Sequence, residues 1–188
     1  MTEDNSILEN QEGKPKISFG RILAWVFVLA LLGVVYIQLA KSQQGTIEIG
    51  AMAPEFTLTS FEGETFDSEQ LKGKVVLLNF WASWCKPCEL EAADLEAAWK
   101  FYEPRGDVIF LGVDWTDTTN EANEYLEKFS ITYPNGPDLG TRISQSYRTT
   151  GVPETYIIDK EGVLGRVKIG PFQTYQEIIS MVDDVLNQ

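Results

Sequence analysis

Hydrophobic residues form one long uninterrupted segment near the N-terminus and several shorter segments after it. The long segment, residues 22–40, contains 19 residues and none of them is charged. In a helix it would extend about 28 Å, which matches the hydrocarbon core of a bilayer. A helix buried in a globular core is rarely apolar on every face over this length. The pattern therefore predicts a single transmembrane anchor at 22–40.

The charged residues beside this segment predict its orientation. Lys14, Lys16 and Arg21 precede it, whereas only Lys41 stands just after it. Because basic flanks stay on the cytoplasmic side, we expect a cytoplasmic N-terminus, a single pass through the cell membrane and an extracytoplasmic remainder. A cleaved signal peptide is the alternative, although the small-residue exit at 38–40 is a poor match to a cleavage site.

The same boundaries divide the chain into four parts. They are a cytoplasmic tail (1–21), the anchor (22–40), a linker (41–46) and a soluble domain (47–188). The soluble part is long enough to bury a sizeable core. Either reading of the apolar segment places this part outside the cytoplasm, where thiols can be oxidised.

The soluble domain alternates short β-type segments with helical patterns. The predicted strands are Phe56–Leu58, Thr65–Phe66, Lys74–Trp81, Asp107–Val113, Thr155–Asp159 and Val163–Ile169. The predicted helices are Lys86–Tyr102, 118–129, 141–147 and a C-terminal helix capped by Thr174. In the first of these helices the apolar stripes are predicted to hold Leu90, Ala93, Leu95, Ala97, Ala98 and Phe101. Alternating strands and helices predict an α/β fold, and the late hairpin predicts a mixed sheet.

The charge and the absence of histidine exclude several classes of function. The chain of 188 residues carries 28 acidic against 15 basic residues, for a net charge of −13. This acidity argues against nucleic-acid binding, which needs clustered basic side chains. With no histidine, the chain has no His general base, no Ser–His–Asp or Cys–His system and no His-ligated zinc or haem.

The two cysteines lie in Cys85-Lys86-Pro87-Cys88, between a predicted buried strand and a predicted helix. Cys85 is expected near the helix N-terminus, where unpaired N–H groups and the helix dipole stabilise a thiolate. Pro87 suits the first helical turn. Cys88, one turn later, is placed to attack a mixed disulfide formed at Cys85. The motif predicts a redox-active pair.

Other interpretations of the two cysteines compete with this one. A structural disulfide across so short a loop stabilises little, and a zinc site would need two further Cys or His ligands. Two unrelated buried thiols would rarely meet at such a junction. A Cu(I) site made of two thiolates stays open as an alternative. We predict no metal and no cofactor besides the redox-active disulfide.

The stretch from Asn79 to Cys88, NFWASWCKPC, closely resembles the active-site stretch of thioredoxin. More narrowly, the chain resembles membrane-anchored thioredoxin-like proteins of the TlpA/ResA/DsbE (CcmG) type from about residue 50 to its end. Ala53-Pro54-Glu55-Phe56 is similar to the N-terminal motif that this group shares with peroxiredoxins. Gly151-Val152-Pro153-Glu154-Thr155 resembles the loop that carries a cis-proline beside the CxxC motif. Residues 113–146 would form the central insertion of the group.

This resemblance implies a thioredoxin-like fold with an N-terminal β-hairpin extension and a central insertion. It implies dithiol–disulfide exchange with protein disulfide clients. Members usually act as reductants, many of them on apocytochrome c during cytochrome c maturation, and an integral membrane thiol transporter re-reduces them. The electron donor and the client of this chain are therefore expected to be of those kinds.

The resemblance also implies a role for Glu91. Thioredoxins carry a buried Asp where this chain has Asn79, whereas the TlpA/ResA/DsbE group has a Glu three residues after the second cysteine. Glu91 is on the same side of the helix as Cys88, where a carboxylate would raise a thiol pKa and relay its proton. A solvated surface Glu is the alternative.

Three more residues are expected to bind substrate. Trp84, beside Cys85, is predicted to offer a flat contact surface. Pro153 is expected to follow a cis peptide bond, and the backbone at Val152 to pair with an extended client as an added strand. Glu154 matches the proline-flanking pattern of the cytochrome-maturation members and is retained as a hint, with an exposed polar residue as the alternative.

The leading interpretation is a membrane-tethered reductant of protein disulfides. A disulfide-forming oxidant of the same fold is one alternative, because Lys86-Pro87 does not by itself set the potential. A peroxidase would need a P-x-x-x-T-x-x-C pattern ending at Cys85, which the chain lacks. A copper-binding assembly factor is the non-enzymatic alternative, but that family usually has C-x-x-x-C and a distal His.

Overall fold

The structure is a computed structural model that describes residues 19–42 and 47–188. Most of the predicted tail (1–21) and linker (41–46) lies outside the described residues. The chain divides into two units, Met1–Gln44 and Gly45–Gln188.

The first unit contains helix α1, Phe19–Ser42, of 24 residues. It extends beyond the predicted anchor at both ends, because polar residues can continue a helix past its apolar part. In the part of the chain that the structure describes, this is the one helix long and apolar enough to cross a membrane. The side chains of its apolar stretch, 20–37, are unburied, as lipid contact would require.

The second unit is a mixed α/β fold around a five-stranded sheet of order β5-β4-β3-β6-β7. The strands are β1 Thr57–Thr59, β2 Thr65–Asp67, β3 Val75–Trp81, β4 Val108–Asp114, β5 Asn135–Pro137, β6 Glu154–Ile158 and β7 Leu164–Ile169. The helices are α2 Lys86–Tyr102, α3 Thr119–Lys128, α4 Arg142–Tyr147 and α5 Tyr175–Leu186. β3 is parallel to β4 and antiparallel to β6, which confirms the predicted mixed sheet.

The side chains of the central strand β3 divide the core into two layers, one on each face of the sheet. All seven of its residues are buried, as its continuous apolar run requires. Val75 and Leu77 pack with α2 and α5 on one face. Val76, Leu78 and Phe80 pack on the other face with α4 and the hairpin of β1 and β2. The predicted N-terminal hairpin is thus confirmed as part of one side of the core.

The face that α2 buries differs from the predicted stripes. Its buried residues are Cys88, Glu91, Ala92, Leu95, Ala98, Trp99 and Tyr102. Leu90 is 74% exposed and Phe101 48% exposed, so those two assignments were wrong, and Ala93 and Ala97 are exposed as well. The buried face of α2 is rotated relative to the predicted one. It includes a polar residue, Glu91, which a pattern of apolar residues cannot place. Apolar periodicity alone therefore predicts the range of α2 correctly but displaces its buried face by about one residue.

Strand β5 was missed because its sequence, Asn135-Gly136-Pro137, carries no β-type pattern. It forms an edge strand parallel to β4. Gly136 is required there because a Cβ atom would come within 2.3 Å of the Thr59 carbonyl oxygen. The central insertion thus adds one strand to the sheet and seats it against the N-terminal hairpin.

Candidate active site

The redox pair lies where β3 ends and α2 begins. Cys85 is the N-cap residue of α2, in an extended conformation, and Pro87 lies in the first turn. The Cys88 backbone N–H donates to Cys85 Sγ over 3.1 Å. The two sulfurs form a disulfide. The helix therefore directs a backbone donor at the sulfur that the sequence assigned as nucleophile.

The surroundings of the pair are mainly apolar. Cys85 is 3% and Cys88 1% exposed, and both pack with Trp81, Ala82 and Tyr125, among others. Because the two exposures are so similar, burial does not distinguish the attacking thiol. Trp84, in contrast, is 58% exposed directly beside Cys85. It offers an apolar surface at the edge of the site.

Glu91 lies three residues after Cys88 on the buried face of α2, with only 1% exposure. Its Oε1 accepts from Asn79 Nδ2 at 2.9 Å, and its Oε2 accepts from the Phe172 backbone N–H at 2.8 Å. Asn79 Nδ2 also donates to Thr155 Oγ1. Glu91 is thus tied to β3 and, through Asn79, to β6, and the solvated alternative does not describe it. Asn79, which stands where thioredoxins have a buried Asp, therefore donates to the carboxylate that α2 supplies at Glu91.

Burial raises the pKa of Glu91 from 4.5 to about 7. The N–H groups of Phe172 and Asn79 favour the charged form and work against this shift. Glu89, two residues earlier, has ion pairs with Lys86 and Lys128, and hydrogen bonds from these ammonium groups lower the pKa of its carboxyl. Of these two carboxyls, Glu91 is the one that exchanges a proton near neutral pH.

The loop before β6 lies against the pair. The Val152–Pro153 peptide bond is cis, as predicted. Val152 packs against the cluster that contains Cys85 and Cys88. The Pro153 carbonyl accepts from the Gly170 backbone N–H at 2.9 Å, which ties the loop to the end of β7. The structure therefore packs the predicted substrate-binding residue Val152 against the cluster of the disulfide, and Pro153 follows it in the same loop.

Glu154 is buried rather than exposed, at 2%. Its Oε1 accepts from the backbone N–H groups of Thr150 and Gly151 and from Thr150 Oγ1. Its Oε2 accepts from the Tyr156 hydroxyl at 2.8 Å. A single carboxylate thereby satisfies four donors around the cis-proline loop and fixes its shape. The exposed alternative for this residue was wrong.

Sequence reasoning missed two features of the site. One is Thr155, whose hydroxyl accepts from Asn79 and so helps to orient the amide beneath Glu91. The other is Asp117, whose carboxylate accepts from the Ser83 backbone N–H two residues before Cys85. Both contacts join residues that are distant in the chain. Thr155 lies opposite Asn79 in the β3–β6 register, a pairing that a correct alignment of the two strands would have found.

The chain is similar to known proteins over most of its length. The model of the AhpC/TSA family matches residues 49–167, more than half of the chain. The thiol-disulfide oxidoreductase ResA of Bacillus anthracis is 32% identical over 84% of this chain and 92% of its own length. The chain belongs to the AhpC/TSA family, among its ResA-type thiol-disulfide oxidoreductases.

Two further similarities agree with this assignment. The thioredoxin-like protein YneN of Bacillus subtilis (strain 168) is 31% identical over 79% of this chain and 89% of its own length. The crystal structure of a thiol:disulfide interchange protein of the thioredoxin family from Chlorobium tepidum TLS superimposes with a TM-score of 0.66 at 26% identity. It covers 75% of this chain and 99% of that protein. The fold is thioredoxin-like, and the enzyme is a thiol-disulfide oxidoreductase whose redox pair is Cys85–Cys88.

Proposed function

We propose that this oxidoreductase is a membrane-tethered reductant of protein disulfides that works on the extracytoplasmic side of the cell membrane. The carrying observation is the buried carboxyl of Glu91, three residues after a CxxC pair at a helix start. A negative charge there disfavours a thiolate and so destabilises the reduced pair relative to the disulfide. A less stable reduced form has a lower potential, which is the direction a reductant needs.

In the proposed reaction, Cys85 attacks a client disulfide as a thiolate. One client sulfur leaves and takes up a proton while Cys85 forms a mixed disulfide with the other. Cys88 then attacks Cys85 Sγ, and this releases the second client thiol and leaves the Cys85–Cys88 disulfide. Glu91, with a pKa of about 7, accepts the proton that Cys88 loses. The pair is oxidised by two electrons and the client disulfide is reduced by two.

The client is proposed to bind across the cis-proline loop. Val152 packs against the cluster that contains the redox pair, Pro153 follows it in the same loop, and Trp84 provides an exposed apolar surface beside Cys85. An extended client strand along Val152 would place its disulfide over Cys85. The family resemblance supports apocytochrome c as client and an integral membrane thiol transporter as the electron donor.

Helix α1 supports the membrane tether. Its length and composition suit one bilayer crossing, and the basic residues Lys14, Lys16 and Arg21 before the apolar segment 22–40 favour a cytoplasmic N-terminus. Membranes from cells producing the full chain should retain it through carbonate extraction, with the N-terminus intact. A membrane-impermeant maleimide should label the reduced cysteines in intact spheroplasts. A mature protein beginning near Lys41, or labelling only after lysis, would contradict the tether.

Client choice is tested by reduction of a disulfide-bonded haem-binding peptide of the C-x-x-C-H type. The rate constant should exceed that for an unrelated peptide with the same C-x-x-C disulfide but no flanking haem-site sequence. Equal rate constants would remove cytochrome c maturation from the proposal and leave a general reductant.

A further inference from the structure

The turn that presents Cys85 is held from outside the CxxC helix. Between the end of β3 and the start of α2, the Cys85 N–H donates to the Ala82 carbonyl at 3.1 Å. The backbone N–H of Ser83 donates instead to Asp117 Oδ2, in the loop that follows β4. Thirty-four residues separate the two partners of that bond. The shape of the turn therefore depends on a carboxylate distant from it in sequence.

Asp117 is in turn held by Asp114, the last residue of β4. Asp114 is 2% exposed and lies opposite Trp81, the last residue of β3, in the parallel register. Its Oδ1 accepts from the Asp117 backbone N–H at 3.3 Å. The neighbouring Trp115 N–H donates to the Trp81 carbonyl at 3.0 Å. These bonds attach the loop after β4 to the strand end from which the redox turn begins.

The side chains of Asp114 and Asp117 also interact electrostatically. Burial, reinforced by the charge of Asp117 and a hydrogen bond between the side chains, raises the pKa of Asp114 to about 7. A protonated Asp114 donates to Asp117, which leaves the other Asp117 oxygen free to accept from Ser83. Asp117→Asn would reproduce both contacts, because its amide oxygen accepts from Ser83 and its amide nitrogen donates to Asp114.

We propose that Asp117 is a positioning residue for thiol–disulfide exchange: its carboxylate fixes Ser83 and thereby holds Cys85 at the N-cap, and Asp114 holds Asp117. The proposal rests on Cys85 being the attacking thiol. At the N-cap, the Cys88 N–H points at Cys85 Sγ, and the same donor would stabilise the thiolate. A loosened turn would weaken that bond, raise the pKa of the Cys85 thiol and slow its attack.

The test compares Asp117→Ala with Asp117→Asn in the full-length protein in detergent. Both variants lose the same negative charge, but only Asn keeps an acceptor for Ser83. The rate of iodoacetamide alkylation of the reduced protein, resolved by peptide mass spectrometry, reports Cys85 directly. Because one pKa unit changes the thiolate fraction about tenfold, we expect Cys85 in the Ala variant to react roughly three to ten times more slowly than in the Asn variant. The Asn variant should stay within about twofold of wild type.

Glu124→Ala is the matched control. Glu124 is exposed on α3 and, like Ser83, lines the shallow cleft beside the redox turn, so its removal changes the local charge without touching the Ser83 bond. Its alkylation rate should stay within about twofold of wild type. Equal rates for Asp117→Ala and Asp117→Asn would overturn the proposal, as would a wild-type rate in the Ala variant.

Two measurements keep the test decisive. If Asp117→Ala does not fold, Asp117→Glu replaces it: the charge stays but the oxygens move by one methylene, so slow alkylation is again expected. A wild-type rate in that variant would count against the proposal. Oxidation of the wild-type pair by glutathione disulfide is measured in parallel. Its failure would remove the exchange reaction itself, whereas the alkylation comparison fails only if Asp117 does not position the turn.

Discussion

Two carboxyl sites lie near the redox pair, one on helix α2 and the other at the end of strand β4. Glu91 is joined through Asn79 to Thr155 of β6, and its carboxyl is buried. Asp114 is at the end of β4, and Asp117 after it holds the turn before Cys85. The pKa values of Glu91 and Asp114 are both raised to about 7, in each case mainly by burial.

The two sites differ in what they do to the chemistry. Glu91 sits on the helix of the thiols, where its charge and its proton affect them directly. Asp117 accepts from the backbone N–H of Ser83, and we propose that it acts through this bond on the geometry of Cys85. Glu91 is therefore proposed to accept and release the proton, and Asp117 to hold the nucleophile Cys85 in place. A fold that separates these two tasks allows each to be altered alone.

The largest effect should come from the thiol on which both sites act. Cys85→Ser should abolish mixed-disulfide formation with a protein client, because no nucleophile remains at the N-cap. Cys88→Ser should instead trap the mixed disulfide, since no thiol is left to resolve it. Non-reducing gels with mass spectrometry of the adduct make the measurement. If Cys85→Ser trapped the mixed disulfide and Cys88→Ser did not, Cys88 would be the attacking thiol. The proposed role of Asp117 at Cys85 would then be wrong.

Glu91→Gln should change how stability depends on pH. The pKa of Glu91 rises from 4.5 in the unfolded chain to about 7 in the fold, so the folded state binds the extra proton. Its contribution is complete below pH 4.5 and is lost as pH rises through 7, a fall of about 3 kcal/mol in the free energy of unfolding. Gln cannot titrate, so this fall should disappear from the variant.

Urea unfolding of the oxidised protein in detergent, at pH 4 and pH 8, measures this difference. At pH 4 the variant should be less stable than wild type by about 1–2 kcal/mol, because the amide of Gln cannot accept from both Asn79 and Phe172. At pH 8 that deficit should shrink or reverse. Glu89→Gln, a change on the ion-paired neighbour, should leave the fall in stability around pH 7 as in wild type, because the pKa of Glu89 is lowered rather than raised. If the stability difference between wild type and Glu91→Gln were independent of pH, the titration would belong to another group.

The thiols should respond to Glu91 more modestly. Removing the charge in Glu91→Gln should lower the apparent pKa of the thiols by about one unit, and the wild-type groups should titrate as a coupled set. The measurement is alkylation rate against pH for wild type, Glu91→Gln and Glu89→Gln. We expect the Glu89→Gln curve to overlay wild type. If all three curves overlay, Glu91 does not affect the thiols and proton transfer is left to water. The proposed difference between the roles of Glu91 and Asp117 would then be wrong.

The smallest effect on the fold is expected at Trp84, outside both carboxyl sites. Because its side chain is 58% exposed, Trp84→Ala should change the free energy of unfolding by less than about 0.5 kcal/mol. Reduction of a protein client should slow several-fold, while alkylation by a small reagent should be unchanged. Equal slowing of both reactions would show that Trp84 shapes the thiols rather than the client surface.

The contrast between the carboxyl sites also shows how far sequence reasoning reaches. The spacing of Glu91 from Cys88 is local, so helical periodicity and family resemblance together placed it on the side of the thiols. Its burial on the core face of α2 was not predictable, because that depends on Asn79 and Phe172 from other elements. The predicted apolar face of α2 was wrong for the same reason. Leu90 is exposed, whereas the carboxyl of the next residue, Glu91, is buried.

The contacts that could not be predicted are those between distant parts of the chain. Asp117 reaches Ser83 only because β3 and β4 are parallel and end together. The cis bond at Pro153 was predicted because its sequence surroundings are characteristic. The four donors around Glu154 were not, since the loop must close before they converge. Regular elements follow from local pattern, whereas the arrangement of polar groups around the thiols follows from topology.

The central claim, that the enzyme is a reductant, is tested most directly by the equilibrium potential of Cys85–Cys88 in the full-length protein against glutathione buffers. A reductant should have a potential near that of thioredoxin, about −270 mV, and well below the roughly −120 mV of a strong oxidant. We expect a value below about −230 mV at pH 7. A value above about −180 mV would contradict it and favour a disulfide-forming role for the same fold.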